Sequence, residues 1–322
     1  MALPPLSSLT LRGRARRLRR VAEAALPAWP LQVRRLRLLS NSWNCVFRVD
    51  ADEGTYALRV GLPDQGMTIP GVQSEAAVLE ALVEAGFEVP RPIRARDGRA
   101  AVVAGAPGVE HDRICFLTSW IPGRDLAAEI TPARWAQHGA LHARLHRFAA
   151  TWTPPELAIG DFTHTFHFEN SGQSWPDAEL FGHEALFAEA LAATDARIAA
   201  VRRRDPVIVT HGDLHHANVK LHRGVLRAID FEDAMWATPL QDVATSLYYV
   251  SKRGDFEALR DAFADGYAAV APWVEAEDGE VEALLFARGM VLLEFLAADL
   301  AVRSVDWRNF VERIATLARR AL

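Results

Sequence analysis

The stretch His211–Asp230, HGDLHHANVKLHRGVLRAID, decides how the rest of the chain is read. It places a carboxylate at Asp213, a carboxamide at Asn218 and a second carboxylate at Asp230. Leu221–Arg223 leads through Gly224 into the apolar run Val225, Leu226, Ala228, Ile229. This short connection between two strands returns Asp230 close to where Asn218 left the loop. Phosphoryl transfer needs three such positions. Asp213 offers an oxygen base to accept or orient a hydroxyl proton, and Asn218 and Asp230 offer the hard oxygen ligands that suit Mg2+. Gly212 lets the turn pass where a side chain would clash, and His211 packs and hydrogen-bonds to shape the loop. Two other readings stay open. His211, His215, His216 and His222 could form a zinc cluster, although no cysteine lies nearby and the spacing has no matching helix. A polar loop without chemistry is the other, and the buried strands VIVT and VLRAID on its flanks weigh against it.

The same residues resemble the aminoglycoside phosphotransferase family, a kinase-like group that also contains choline kinases, homoserine kinases and bacterial stress-response kinases. The resemblance rests on HGDLHHAN at 211–218, IDF at 229–231 and DVATSL at 242–247, and weaker motifs extend it from about Leu36 to the end. It implies an α+β fold of the bilobal protein-kinase type, with a small antiparallel-sheet lobe followed by a larger, mostly helical lobe. It also implies ATP and Mg2+ as cofactors, Asp213 as the catalytic residue and Asn218 and Asp230 as metal ligands. Asp242 matches a buried carboxylate that supports the catalytic loop. The motif spacing is specific for the superfamily and silent on the acceptor.

Upstream, Leu36–Val60 reads as strand, turn, strand, with DADEG as the turn. Gln73–Ala85 reads as an amphipathic helix stopped by Gly86, and further strands follow through Ala101–Val103 and Ile114–Trp120. The expected division is a basic helical extension over 1–31, a nucleotide-binding lobe over 32–120 and a catalytic, substrate-binding lobe over 121–322. By resemblance, Ser40–Asn44 covers the nucleotide phosphates, with Ser42 and Asn44 as donors. Arg59 takes the strand position usually held by Lys, and Glu75 is its ion-pair partner, with Glu80 on the same helix as the alternative. Backbone groups at Ser119 and Ile121 in TSWIPG would read the nucleotide base. Two departures stand out: the phosphate loop lacks glycine, and Arg59 presents a planar fork instead of a point charge.

In the second lobe, Thr131-Pro132 starts a helix on which His138, His142 and His146 recur every four residues, one above another. That stripe suits packing better than metal, for want of carboxylate support. The irregular segment 154–180 is either a substrate wall or a structural insertion. Phe231-Glu232-Asp233 adds two carboxylates after Asp230. Helices are expected from Pro239, with Asp242 near its start, and at roughly 254–269, 277–300 and 306–321. Phe286, Met290, Leu293 and Glu294 face either core or substrate.

At 322 residues, with 50% hydrophobic and 24% charged residues, the chain has the composition of a soluble globular protein long enough for two lobes. A net charge of -5 supplies no global attraction to nucleic acid or anionic membrane. Locally, Arg12, Arg14, Arg16, Arg17, Arg19 and Arg20 form a basic stretch that reads as a surface helix or a contact on the protein's own body. Two cysteines, Cys45 and Cys115, are too few for a disulfide framework, and no leader-like or membrane-length apolar run is present. The expected setting is cytoplasmic. The expected partners are a nucleotide and a small-molecule acceptor, with a protein acceptor possible and neither nucleic acid nor membrane involved. The leading function is transfer of the ATP γ-phosphate to a hydroxyl of an amino alcohol, sugar or aminoglycoside. A stress-response-type protein Ser/Thr kinase and a catalytically inactive nucleotide-binding scaffold are the alternatives.

Overall fold

Alternating apolar residues build the first sheet. In the computed structural model, which describes residues 5–41, 44–62, 66–168, 175, 179–298 and 306–322, β1 (Val33–Asn41), β2 (Asn44–Ala51), β3 (Gly54–Gly61), β4 (Ala101–Ala104) and β5 (Arg113–Ser119) form one antiparallel sheet. The strand order is β1-β2-β3-β5-β4. Phe47 and Val49 of β2, Leu58 and Val60 of β3, and Cys115 and Leu117 of β5 share one buried cluster with Leu18, Val21, Ala22 and Ala25 of the helix α1 (Leu11–Ala25). The period of two sends the intervening Arg59 and Phe116 to the opposite face.

The arginine-rich segment is therefore an amphipathic helix with its apolar side in the core of the sheet. Arg12, Arg16, Arg19 and Arg20 remain exposed. Arg17 and Arg19 donate to the carbonyls of Gly108 (2.7 Å) and Leu36 (2.9 Å), which are contacts on the protein's own body. The next helix, α2 (Ile69–Glu84), starts earlier than its apolar pattern suggests, because Thr68 caps it and Pro70 fits its first turn. Burial pushes the thiols of Cys45 and Cys115 up to about 12, which leaves both unreactive.

The chain separates into two compact units, one of Met1–Pro122 with Pro154–Ala158 and one of Gly123–Thr153 with Ile159–Leu322. The second contains the helices α3 (Pro132–Ala149), α4 (Glu184–Arg204), α5 (Pro239–Tyr248), α6 (Phe256–Ala268), α7 (Glu280–Ala298) and α8 (Trp307–Ala321). Two small sheets accompany them. In the first, the hairpin β9 (Val219–His222) and β10 (Val225–Ala228) is joined by the short β6 (Arg124–Asp125). In the second, β11 (Met235–Ala237) lies between β7 (Gly160–Asp161) and β8 (Ile208–Thr210). The architecture is thus α+β and bilobal, with a sheet-based unit and a larger helical one, as expected of a kinase-like fold. No helix among the described residues is long and apolar enough to cross a membrane.

The pair α3 and α6 approaches closely because each presents a glycine to the other. A methyl group at Gly139 would overlap the Phe263 carbonyl, and one at Gly266 would overlap the Ala136 carbonyl. Backbone blocks both positions, so neither can be relieved by a rotamer change. Gly266→Ala should destabilise the protein by about 3 kcal/mol, the upper range for overpacking. The check is the urea midpoint; an unchanged midpoint would contradict this packing.

Candidate active site

The hairpin turn has a stereochemical cause. His222 pairs with Val225, leaving Arg223 (φ 50°) and Gly224 (φ 82°) as a two-residue connection in which both residues have positive φ, the geometry that matches strand twist. The loop before it is folded by its own side chains. Asp213 N–H donates to His211 Nδ1 (3.3 Å), and His211 Nε2 donates to Ile229 O (3.0 Å). Burial holds the His211 pKa down to about 4, so the ring is neutral and structural, in keeping with the role read from the sequence.

Asn218 ties the loop to the hairpin. Its Nδ2 donates to Asp213 O (2.9 Å) and Oδ2 (3.2 Å), and its own carbonyl accepts from Ile229 N (2.9 Å) beside Asp230. With Nδ2 engaged, Oδ1 is the atom of Asn218 left for a cation. Asp230 is exposed and has φ 67°, left-handed backbone that a non-glycine residue adopts at some cost. Burial pushes the Asp213 carboxyl up to about 6; the Arg288 guanidinium opposes the shift and the charge of Asp230 adds to it. Asp213, Asn218 and Asp230 are therefore gathered in one place. Asp233 joins them, its carboxyl raised well above the usual range by burial and then by Asp213 and Glu232.

Behind the loop, Asp242 in the first turn of α5 accepts from Gly212 N (2.8 Å) through Oδ1 and from His146 Nε2 (2.9 Å) through Oδ2. His142 Nδ1 lies 3.2 Å from the same oxygen. Ser246 accepts from His142 Nε2 (2.9 Å) and donates to Leu214 O (2.5 Å). Gly212 has φ 78°, and a Cβ there would overlap the Asp233 carbonyl. The loop is clamped from α3 and α5 at Gly212 and Leu214, on either side of Asp213. Ligand atoms of His142, His146 and Asp242 lie within 4.8 Å of one another, a potential metal cluster by proximity. Its 2.9 Å contact is a hydrogen-bond length, and two of its three donors are nitrogen, which suits Mg2+ poorly.

In the first unit, Arg59 and Glu75 form a two-pronged ion pair. Nη1 donates to Oε1 at 3.2 Å and Nη2 pairs with Oε2. Both side chains are largely buried, and the guanidinium lies 5.5 Å from the Phe116 ring centroid. Glu80 is engaged elsewhere, with Arg94. Asn44 is buried at the start of β2, opposite Gly61. Ser42 lies outside the described residues. The Ser119 amide donates to Arg91 O (2.8 Å) and is already engaged; Ile121 is half-buried.

A model of the phosphotransferase enzyme family matches residues 35–283. The chain belongs to this family, within the aminoglycoside phosphotransferase and choline-kinase-like superfamily. An uncharacterized protein of Deinococcus radiodurans is 30% identical over 273 residues, covering 83% of this chain and 78% of that one. Among solved structures, a microcompartment-associated aminopropanol kinase is similar, with a TM-score of 0.77, 22% identity and 94% of both chains covered. An amicoumacin kinase in complex with AMP-PNP, Ca2+ and Ami has a TM-score of 0.76, 18% identity and coverage of 93% of this chain and 92% of that one.

Sequence reasoning about this phosphotransferase missed Arg288 and Tyr249. Arg288 on α7 donates from Nη2 to Asp213 Oδ1 (2.5 Å) and to Tyr249 OH (2.6 Å). One signal could have found it: a lone arginine inside the apolar run LLFARGMVLL. Of the four residues read there as core or substrate contacts, Phe286, Met290 and Leu293 are fully buried, and Glu294, also buried, accepts from Trp175 N (2.7 Å).

Proposed function

We propose that this phosphotransferase moves the γ-phosphate of ATP to a hydroxyl of a small molecule, with Mg2+ held by Asn218 and Asp230. The observation that carries this reading is the hydrogen bond from Asn218 to Asp213 together with the electrostatic coupling of Asp213 to Asp230. These groups fit the ion: a carboxamide oxygen and an exposed carboxylate are hard donors. When bound, Mg2+ neutralises charge on the phosphate oxygens. Asp213 orients the acceptor hydroxyl and takes its proton as the oxygen bonds to the γ-phosphorus. The bond from that phosphorus to the bridging oxygen breaks, and ADP leaves with the electron pair. In the first unit, Arg59, fixed by Glu75, would hold nucleotide phosphate, with Ser42 and Asn44 as further donors and Ser119 and Ile121 near the base.

A small acceptor is favoured over a protein on two grounds. Between Asp230 and the start of α5 at Pro239 the chain has room for only the short strand β11, too little for a long peptide-docking segment. The two structural neighbours described above are kinases of aminopropanol and amicoumacin, both small molecules. The test is ADP formation by the purified protein with ATP and Mg2+, offered amino alcohols, sugars, aminoglycosides and protein acceptors. Acceptor-dependent ADP release that requires Mg2+ is expected. Tight, Mg-independent nucleotide binding without turnover on any of them would favour the inactive scaffold instead.

A further inference from the structure

Arg288 is only 7% exposed, and its two hydrogen bonds both leave from Nη2. Its Nε is buried without a hydrogen-bond partner among the described residues. A buried donor left unmade is costly, and a guanidinium is a planar fork whose Nε and Nη donors match the two oxygens of a carboxylate. The same guanidinium sits on Asp213 Oδ1 at 2.5 Å. Asp213 Oδ1 is covered by Arg288 and, at 3.4 Å, by Tyr249; Oδ2 is covered by Asn218 and lies 3.5 Å from His215. A base must come within hydrogen-bond reach of the proton it takes, and the charge-assisted contact of Arg288 on Oδ1 competes with an acceptor hydroxyl for that oxygen.

We propose that Arg288 recognises a carboxylate on the acceptor, and that pairing with this carboxylate draws the guanidinium off Asp213 and opens the base to the neighbouring hydroxyl. The inference rests on the phosphotransfer reading and narrows its substrate class to small hydroxy acids and hydroxyamino acids. One guanidinium balances the single charge of a carboxylate. A phosphate monoester would bring about twice that charge beside Asp213 and Asp230. Arg288 also faces Asp233 and acts electrostatically on His167, from the 162–168 segment, and on His215. His167 and His215 are held neutral, with pKa values pushed down to about 3 by burial, so Arg288 is the cation of this group.

The experiment uses matched acceptors that keep a free hydroxyl and differ in the second group: homoserine against 3-aminopropanol, serine against ethanolamine, and glycerate against glycerol 3-phosphate, which puts a phosphate monoester where glycerate has its carboxylate. For the wild type, kcat/KM should favour the carboxylate member of a pair, and Arg288→Met should reduce that preference roughly a hundredfold, chiefly through KM, as loss of one charge-assisted fork implies. Arg288→Lys keeps the charge without the fork. It should fold even if Arg288→Met does not, and it should also lose the preference. Binding of the same hydroxy acids without nucleotide, measured by calorimetry, separates the two levels of the reading. Carboxylate binding that depends on Arg288 without any transfer would sink the phosphotransfer reading and keep only the carboxylate-recognition half of this inference. Transfer to the decarboxylated members alone, a preference for glycerol 3-phosphate over glycerate, or equal losses on both members of each pair would overturn the inference.

Discussion

Asp213→Asn should lower kcat for phosphate transfer by about 10³-fold, in the middle of the range for removal of a general base, while nucleotide binding changes little. The substitution preserves shape, and Asn218 keeps its bond to the backbone carbonyl at 213; the one remaining side-chain oxygen can serve Asn218 or the Arg288 and Tyr249 donors, not both, and what disappears is the capacity to take a proton. It also strips Arg288 of its nearest counter-charge. Asp233, whose carboxyl is raised partly by the charge of Asp213, then becomes the adjacent acid and should ionise more readily. The fold should therefore survive, and circular dichroism with a thermal scan would verify this. The same carboxyl predicts the acid limb of the rate. Burial raises Asp213 to about 6, and a base works only when deprotonated, so kcat/KM should fall as pH drops through about 6. An Asp213→Asn enzyme with wild-type turnover would remove the catalytic assignment.

Much of this site was readable because its signals are local. Asp213, Asn218 and Asp230 are separated by a loop and one hairpin, and the turn residues Arg223-Gly224 state the hairpin's geometry directly. Asp242 was readable as a supporting carboxylate for a similar reason: Pro239 marks a helix start, and an acid in a first turn faces unsatisfied amides. Arg59 and Glu75 lie on adjacent elements, although the choice of Glu75 over Glu80 needed coordinates. Three features were not readable. Arg288 stands out as a lone arginine in an apolar run, but it meets Asp213 across 75 positions of sequence and nothing near it names that partner. Helix α4 buries Ala190 and Thr194 along with Phe187 and Ile198, a stripe of low contrast that carries little periodic signal. The histidine column of α3 reads in sequence as packing that lacks a carboxylate, because its partners Asp242, Ser246 and Tyr267 all come from later helices.

That column supplies the other large effect. Asp242→Ala should destabilise the protein by about 2–6 kcal/mol, since two buried donors lose their acceptor at about 1–3 kcal/mol each. The change would leave Gly212 N–H and His146 Nε2 without acceptors inside the core, and it would release the loop that carries Asp213. A switch of the His146 tautomer does not compensate: Tyr267 OH can bond Nδ1 in either form (3.0 Å), and Nε2 stays without its partner in both. Asp242→Asn should cost less, since one carbonyl oxygen can still serve Gly212 or His146, though not both. Urea unfolding measures the difference. Chelation separates a hydrogen-bonded network from a metal site: EDTA should leave the melting temperature of the wild type unchanged, and a large drop would make His142, His146 and Asp242 ligands instead. Acid tests the network from the proton side. Burial raises the Asp242 pKa, but its bonds with His142 and His146 outweigh that and hold it well below the usual carboxylate range. Its contribution is therefore complete above about pH 4 and is lost only in stronger acid. The buried histidines fail first. His138, His146 and His211 all have depressed pKa values, chiefly from burial, so the unfolded chain binds more protons than the folded one below about pH 6.5, and stability falls as pH drops. For His211, held near 4, the loss at pH 5 is roughly 2 kcal/mol. Unfolding midpoints that decline from pH 7 to pH 5 would bear this out, and midpoints flat across that window would mean that these imidazoles are not held neutral in the fold.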